Sequence, residues 1–192
     1  MEKSLQGFRS WIKPEGTVHE VWASDNFYPP APAVIRNLTV YTPLVGRTIV
    51  IYAHVAKSFL YAHESHVEQW ISKTDTPANI SQCTLDGIKF KVVDAGRGCV
   101  GLWNLYKKRF LRITDGGIVE CNTGENGDAV YNPGWTWENF SITECPLYKG
   151  LYTICNPGTD RFLDVHVEYK TAGTKGPFRS YCQYWLFSIH VV

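Results

Sequence analysis

Apolar and polar residues alternate along three short stretches of the chain, 48–54 (TIVIYAH), 99–105 (CVGLWNL) and 151–157 (LYTICNP). A period of two marks a strand with one face turned to a core. Each stretch is followed at the same distance by an aromatic–leucine pair: Phe59 and Leu60, Phe110 and Leu111, Phe162 and Leu163. The pairs lie 51 and 52 residues apart, and each unit closes on another apolar strand centred on Phe90, Phe140 or Phe187. A period near ~50 residues with about four short strands per unit predicts three copies of one β-unit. One such unit has too few strands to bury its own face, so the three must share a core. The expected fold is all-β, a β-trefoil of three repeats.

The repeats are placed at 47–96, 97–146 and 147–192, and residues 1–46 stand outside the pattern as an N-terminal extension. The extension carries Trp11, Trp22, Phe27 and Tyr28, so it is expected to pack on the domain or on a partner. Within the repeats Ile49, Val100 and Tyr152 correspond, as do Ile51, Leu102 and Ile154. The next inward position holds Ala53, Asn104 and Asn156 and introduces a tight turn. Asparagine suits that place because its side chain can bond the backbone two residues on. A third strand is read from the echo Val67-Glu68, Val119-Glu120 and Val167-Glu168. The linkers before the fourth strand differ most between repeats, and variable polar loops on a fixed scaffold are where function usually sits.

Composition narrows the function classes. Apolar residues make up 44% and aromatic residues 14% of the 192-residue chain, which excludes disorder. The net charge is +1, and no lysine or arginine stripe builds up, which argues against nucleic acid as a partner. No run is long and apolar enough for a membrane span. The first ten residues lack the apolar core of a signal peptide, so a cytoplasmic or nuclear location is expected. Of the six cysteines none forms a Cys-x-x-Cys pair, and mostly free, buried thiols are expected.

No motif of a hydrolase, metalloprotease or phosphate-binding loop occurs, so no enzymatic activity, no cofactor and no metal is expected. His63 and His66 are three apart, which in a strand puts them on opposite faces rather than on one metal. Sugar binding fits better. A sugar has a rim of hydroxyls and apolar C–H faces, and its site wants an aromatic platform beside a few fixed polar side chains. His66, Glu68, Gln69 and Trp70 offer these on the third strand of the first repeat. Asp115, Asn122 and Trp135 offer them in the second. Trp137 and Trp185, just before the strand phenylalanines, read instead as packing residues. The triplet Gln183-Tyr184-Trp185 is a single instance of the Gln-x-Trp signature of ricin-type trefoils, without a counterpart in the other repeats.

Residues 59–70 (FLYAHESHVEQW), followed by 88–92 (IKFKV), resemble the first repeat of the amaranthin-type plant agglutinin domain. The second repeat is similar to that family through 108–112 (KRFLR), the acidic loop 124–128 and the stretch 135–142 (WTWENFSI). The resemblance covers residues 47–192. It implies a β-trefoil lectin whose partners are glycans or glycoproteins, selective for N-acetylgalactosamine or galactose, with a site near a subunit contact of a homo-oligomer. Where that family carries an aromatic- and histidine-rich turn, this chain has 114–117 (TDGG). The alternative from a different class is a trefoil that binds protein: a protease inhibitor, an actin-binding module or the receptor-binding head of a toxin.

Overall fold

The structure is a computed structural model, and it describes residues 42–64, 66–72, 75–123, 127–145, 148–166, 171–175 and 185–192. The expected extension is therefore outside the described residues except for its last five positions.

Among the described residues twelve strands fall four to a repeat. The first repeat holds β1 (Thr48–Ala53), β2 (Ser58–Ala62), β3 (Val67–Trp70) and β4 (Lys89–Gly96). The second holds β5 (Cys99–Asn104), β6 (Arg109–Ile113), β7 (Val119–Thr123) and β8 (Ser141–Glu144). The third holds β9 (Tyr152–Asn156), β10 (Arg161–Asp164), β11 (Gly173–Lys175) and β12 (Phe187–Val191). Antiparallel pairing runs from β1 through β4, β5, β8, β9 and β12 back to β1, which closes a six-stranded barrel. The β5–β8 step passes through the Val100–Phe140 bridge. The remaining six strands form three hairpins, β2–β3, β6–β7 and β10–β11, each continuing from a barrel strand. This is an all-β β-trefoil.

The sequence period has its physical cause in the core. Leu60, Leu111 and Leu163 point into one central cluster with Phe90, Phe140, Phe187, Ile51, Leu102 and Ile154, all of them fully or almost fully buried. The phenylalanines that precede the three leucines are buried as well, but on the other side of the strands. Phe59 joins a satellite cluster with Val50, Ile80 and Ile88. Phe110 meets Trp103, Tyr131 and Trp135, and Phe162 stacks on Trp185 at 5.1 Å. Each aromatic–leucine pair thus serves two layers, the leucine the shared core and the aromatic the local loop.

The tight turns are equivalent too. Lys57, Lys108 and Asp160 occupy the same place in their repeats, with φ of 51°, 52° and 51°. A non-glycine residue there costs roughly 1–2 kcal/mol, which the turn must recover elsewhere. In two repeats a fully buried asparagine provides that recovery. Asn104 Oδ1 accepts from the N–H groups of Tyr106 and Lys107, while its Nδ2 donates to the carbonyls of Gly87 and Lys89. Asn156 does the same with Thr159 on its own turn and with the carbonyls of Thr136 and Trp137 behind it. Each asparagine therefore ties its own turn to the closing segment of the preceding repeat. In the first repeat Ala53 has no such side chain, and what remains is the bond from the His54 N–H to the carbonyl of Leu186, which matches that from the Leu105 N–H to the carbonyl of Lys89 in the second repeat.

One strand differs from the sequence expectation. Val167 and Glu168 lie outside the described residues, and the hairpin strand of the third repeat is β11 at Gly173–Lys175. Asp164 pairs with Gly173, so the position equivalent to Val67 and Val119 is Ala172, which is buried. The pairing of Asp164 with Gly173 sets this strand farther along the chain than the Val-Glu echo.

Cys83, Cys99, Cys121, Cys145 and Cys155 are free thiols, and Cys182 lies outside the described residues. Burial pushes the Cys121 thiol far up and that of Cys155 to about 12, so neither is a nucleophile at neutral pH. Among the described residues no helix is long and apolar enough to cross a membrane, and no group of three or more His, Cys, Asp or Glu side chains could hold a metal ion.

Candidate functional site

The sequence-derived candidates separate into two sets, one on the β2–β3 hairpin and one on the second repeat. In the first set, His66 Nε2 lies 3.3 Å from Glu68 Oε2, and its ring meets that of His63 at 4.8 Å. Glu68 is buried and its backbone bridges to Thr171 of the third repeat. Gln69 accepts from the Ser58 hydroxyl and donates to the carbonyl of His166. In the third repeat, Thr174 makes the equivalent contact, donating its hydroxyl to the carbonyl of Gly117 at 2.9 Å. Gln69 and Thr174 sit opposite Leu60 and Leu163 in their hairpins. Each holds the hairpin tip of the preceding repeat, which makes Gln69 a seam residue. Trp70 packs at 6.0 Å on Phe59 within the satellite cluster that includes Tyr52, Tyr61 and Leu85.

The second repeat arranges its candidates differently. Trp135 packs on Phe110 and Tyr131, and the Tyr131 hydroxyl donates to the Trp135 carbonyl at 2.8 Å. Burial, with Glu138 and Cys99 adding to it, pushes the Tyr131 phenol to about 12. Asn122 is the residue left over where β6 and β7 slip register: Phe110 pairs with Thr123 and Leu111 with Cys121. The bulge leaves Asn122 exposed. The alternation of β7 puts it on the outer face with Glu120, while Val119 and Cys121 face the core.

Asp115, at the exposed tip of that hairpin, accepts a hydrogen bond from Trp137 Nε1 at 3.1 Å. The Trp137 ring lies over the Arg112 guanidinium at 5.5 Å. Arg112 in turn donates from Nε (2.8 Å) and Nη2 to Glu120 Oε1, and from Nη1 to the Thr123 hydroxyl at 3.3 Å. The Trp137 carbonyl is held from two sides, by the Ile113 N–H at 2.9 Å and by Asn156 Nδ2 at 2.6 Å. The indole is therefore fixed through its backbone, its N–H and one face, and it remains half-buried, as Trp70 and Trp135 do, beside the exposed Asp115; Asn122 is exposed on the outer face of β7.

Trp137, Arg112 and Glu120 are absent from the residues that the sequence points to. Trp137 reads as packing because it stands three residues before Phe140. The missing signal is the Asp115–Trp137 bond, which spans a loop that only the fold closes.

The first repeat shows what replaces this arrangement. Gly87 stands three residues before Phe90 as Trp137 does before Phe140, and Tyr61 takes the place of Arg112 opposite a glutamate. A Cβ on Gly87 would lie 2.2 Å from the Tyr61 ring, so Tyr61 occupies the space next to it and no tryptophan could stand there. The turn at 114–117 also has a structural reason for its glycines. Gly117 has φ of 80°, and a Cβ there would come within 2.6 Å of Thr174 Oγ1 and 3.0 Å of Arg161. The second hairpin tip is pressed against the third repeat, which leaves no room for a bulky aromatic or histidine at Gly117.

No protein-family model matches the chain, and no curated protein sequence matches it. Solved structures do. The chain is similar to the BEL β-trefoil, with a TM-score of 0.59 at 11% identity over 77% of this chain and 94% of that one. A ricin B-like lectin of Macrolepiota procera, solved in complex with lactose, gives 0.52 at 11% identity over 76% and 95%. A GlcNAcα1-4Gal-releasing endo-β-galactosidase of Clostridium perfringens gives 0.58 at 13% identity, with 76% of this chain matched to 32% of the enzyme. At such identities the likeness establishes the β-trefoil fold alone.

Proposed function

We propose that this protein is a lectin that binds glycans or glycoproteins on the outer face of its second repeat, without a catalytic step. The observation that carries the reading is the Trp137 indole, seated on Arg112, hydrogen-bonded to Asp115 and half-exposed. A sugar ring stacks its C–H face on such an indole while Asp115 and Asn122 take its hydroxyls. A platform already fixed on three sides loses little freedom on binding, which favours affinity. The fold shared with a lactose-bound lectin supports the class.

The finer proposals rest on the resemblance to the amaranthin-type agglutinin domain: a galactose or N-acetylgalactosamine ligand, and a homo-oligomer in which several weak sites act together. The extension 1–46 packs on the domain or on a neighbouring subunit, and the protein acts in the cytoplasm or nucleus. A glycan array with the purified protein, repeated with Trp137→Ala and Asp115→Ala, tests the reading. Binding of galactose-containing glycans that both variants lose, with unchanged far-UV spectra, supports it. A silent array sinks it and favours the protein-binding alternative.

A further inference from the structure

We infer that Arg161 gives the site on the second repeat a preference for glycans that carry an anionic group, a carboxylate or a sulfate, next to the sugar stacked on Trp137; this deepens the lectin reading and rests on it. The threefold repeat singles this arginine out. Ser58, Arg109 and Arg161 hold the same place, paired across the tight turn with Ala53, Asn104 and Asn156. Ser58 is buried and gives its hydroxyl to Gln69. Arg109 Nη1 donates to the carbonyl of Lys108 in its own turn at 3.2 Å. Arg161 reaches instead to the tip of the second hairpin, where its Nη1 would lie 3.0 Å and its Cζ 3.4 Å from a Cβ on Gly117. It is half-buried there, and among the described residues it has neither a hydrogen-bond partner nor a carboxylate at ion-pair distance.

A half-buried guanidinium has lost part of its hydration, and a ligand anion that accepts two parallel N–H bonds offsets that loss. The other arginine of the site is already paired: Arg112 Nε and Nη2 donate to Glu120, and its Nη1 donates to Thr123. Asp115 shares the hairpin tip with Gly117, but its Oδ1 is held by Trp137 Nε1 and it makes no ion pair with Arg161. The arginine and the platform are fixed relative to each other, because Asn156 pairs with Arg161 and its amide bonds the carbonyl of Trp137. Asp115 and Gly117 are two residues apart, at most about 7 Å along the backbone. Gly116 between them is exposed, and a Cβ there would come no nearer than 3.7 Å to Thr114 Oγ1. A glycan can therefore run from the indole, past Asp115 and the bare backbone of Gly116, to the guanidinium.

The test uses the full chain and ligands matched in size, followed by tryptophan fluorescence and saturation-transfer NMR: sialyllactose, lactose sulfated at the same hydroxyl, lactose, and a neutral trisaccharide that extends it there. At low salt at least one acidic ligand should bind about tenfold more tightly than its neutral match, and which one gains tells carboxylate from sulfate. The gain should shrink in about 0.5 M sodium chloride, where the screening length falls to a few ångströms. Arg161→Gln should bring the acidic-to-neutral ratio to about one, and Arg109→Gln, at the equivalent place outside the site, should leave it unchanged. Should Arg161→Gln fail to fold, Arg161→Lys, which keeps the charge and loses the planar fork, must still lower the ratio. Equal or weaker binding of both acidic ligands, or a ratio that survives these changes at Arg161, overturns the inference while leaving the lectin reading in place. If none of the four ligands nor any other glycan binds, the lectin reading itself falls, and the inference with it.

Discussion

Replacing Asn156 by alanine separates the scaffold from the site more cleanly than any other single change. The side chain is fully buried and makes four hydrogen bonds: Nδ2 to the carbonyls of Thr136 and Trp137, and Oδ1 from the N–H and hydroxyl of Thr159. At about 1 kcal/mol net per bond, with partial rescue by water at the half-buried turn, the expected loss is roughly 2–4 kcal/mol. For a chain of this size, a loss of about 3 kcal/mol lowers Tm by roughly 6–12 °C. Asn104→Ala removes an equivalent set of four bonds, to Gly87, Lys89, Tyr106 and Lys107, and should cost a similar amount. The two variants should differ in binding, because of the two asparagines it is Asn156 that bonds the carbonyl of Trp137, alongside the Ile113 N–H. Urea denaturation followed by tryptophan fluorescence gives the stability of each, and titration of the folded protein with lactose gives the binding. A loss below about 0.5 kcal/mol for either variant would refute the seam assignment. Equal sugar affinity of the two folded variants would refute the claim that Asn156 positions the indole.

Three further outcomes are expected. His54 is half-buried near His190, and burial foremost lowers its pKa from 6.5 to about 4; the folded state bears no penalty from it above pH 6.5 and is destabilised as pH falls from there toward 4, by up to about 3 kcal/mol. Urea midpoints at pH 7 and pH 4.5 should show that loss, and a His54→Gln variant should show much less of it. Phe110→Ala should cost about 3–5 kcal/mol in the same assay, because the ring is buried among Trp103, Tyr131 and Trp135; a cost under about 1 kcal/mol would show that the aromatic layer is not packed. Titration of the denatured, unreduced chain with Ellman's reagent should find at least the five thiols of Cys83, Cys99, Cys121, Cys145 and Cys155, and a count near zero would contradict their free state.

The fold was legible in the sequence because the residues that build it recur. Leu60, Leu111 and Leu163 meet in one core, so any change of spacing within a repeat would take a leucine out of it. The β11 strand was not legible, because Asp164 pairs with Gly173 while the chain offered a Val-Glu pair at the expected distance. The candidate site was legible in part. Asp115 and Asn122 stand out in the sequence as hydrogen-bonding side chains on loops and strand ends, and the structure leaves both exposed, with Asp115 bonded to Trp137 Nε1. Trp70 and Trp135 read as platforms and rest on Phe59 and Phe110, Trp137 read as packing and rests on Arg112, and all three stay half-buried. An aromatic residue next to a strand phenylalanine looks the same in either role. The partners that decide between them, Arg112 and Asp115, stand 25 and 22 residues away in the chain.

The threefold symmetry itself supplies the strongest argument for where function lies. Features present in all three repeats, such as the buried leucines and the left-handed turn residue, are what a trefoil needs in order to close. Features present in two, such as Asn104 with Asn156 and Gln69 with Thr174, are seams that one repeat manages without. The Arg112–Glu120–Trp137–Asp115 cluster has no counterpart in the first repeat, which folds around Tyr61 and Gly87 in the same space. A half-buried arginine–glutamate pair carries a desolvation cost that a tyrosine against a glycine avoids, and such pairs contribute little to stability. The fold therefore does not require the cluster. A local departure from the repeat that the scaffold neither needs nor gains from is where a binding function is expected. In this chain that departure also holds an aromatic ring half-open to the solvent.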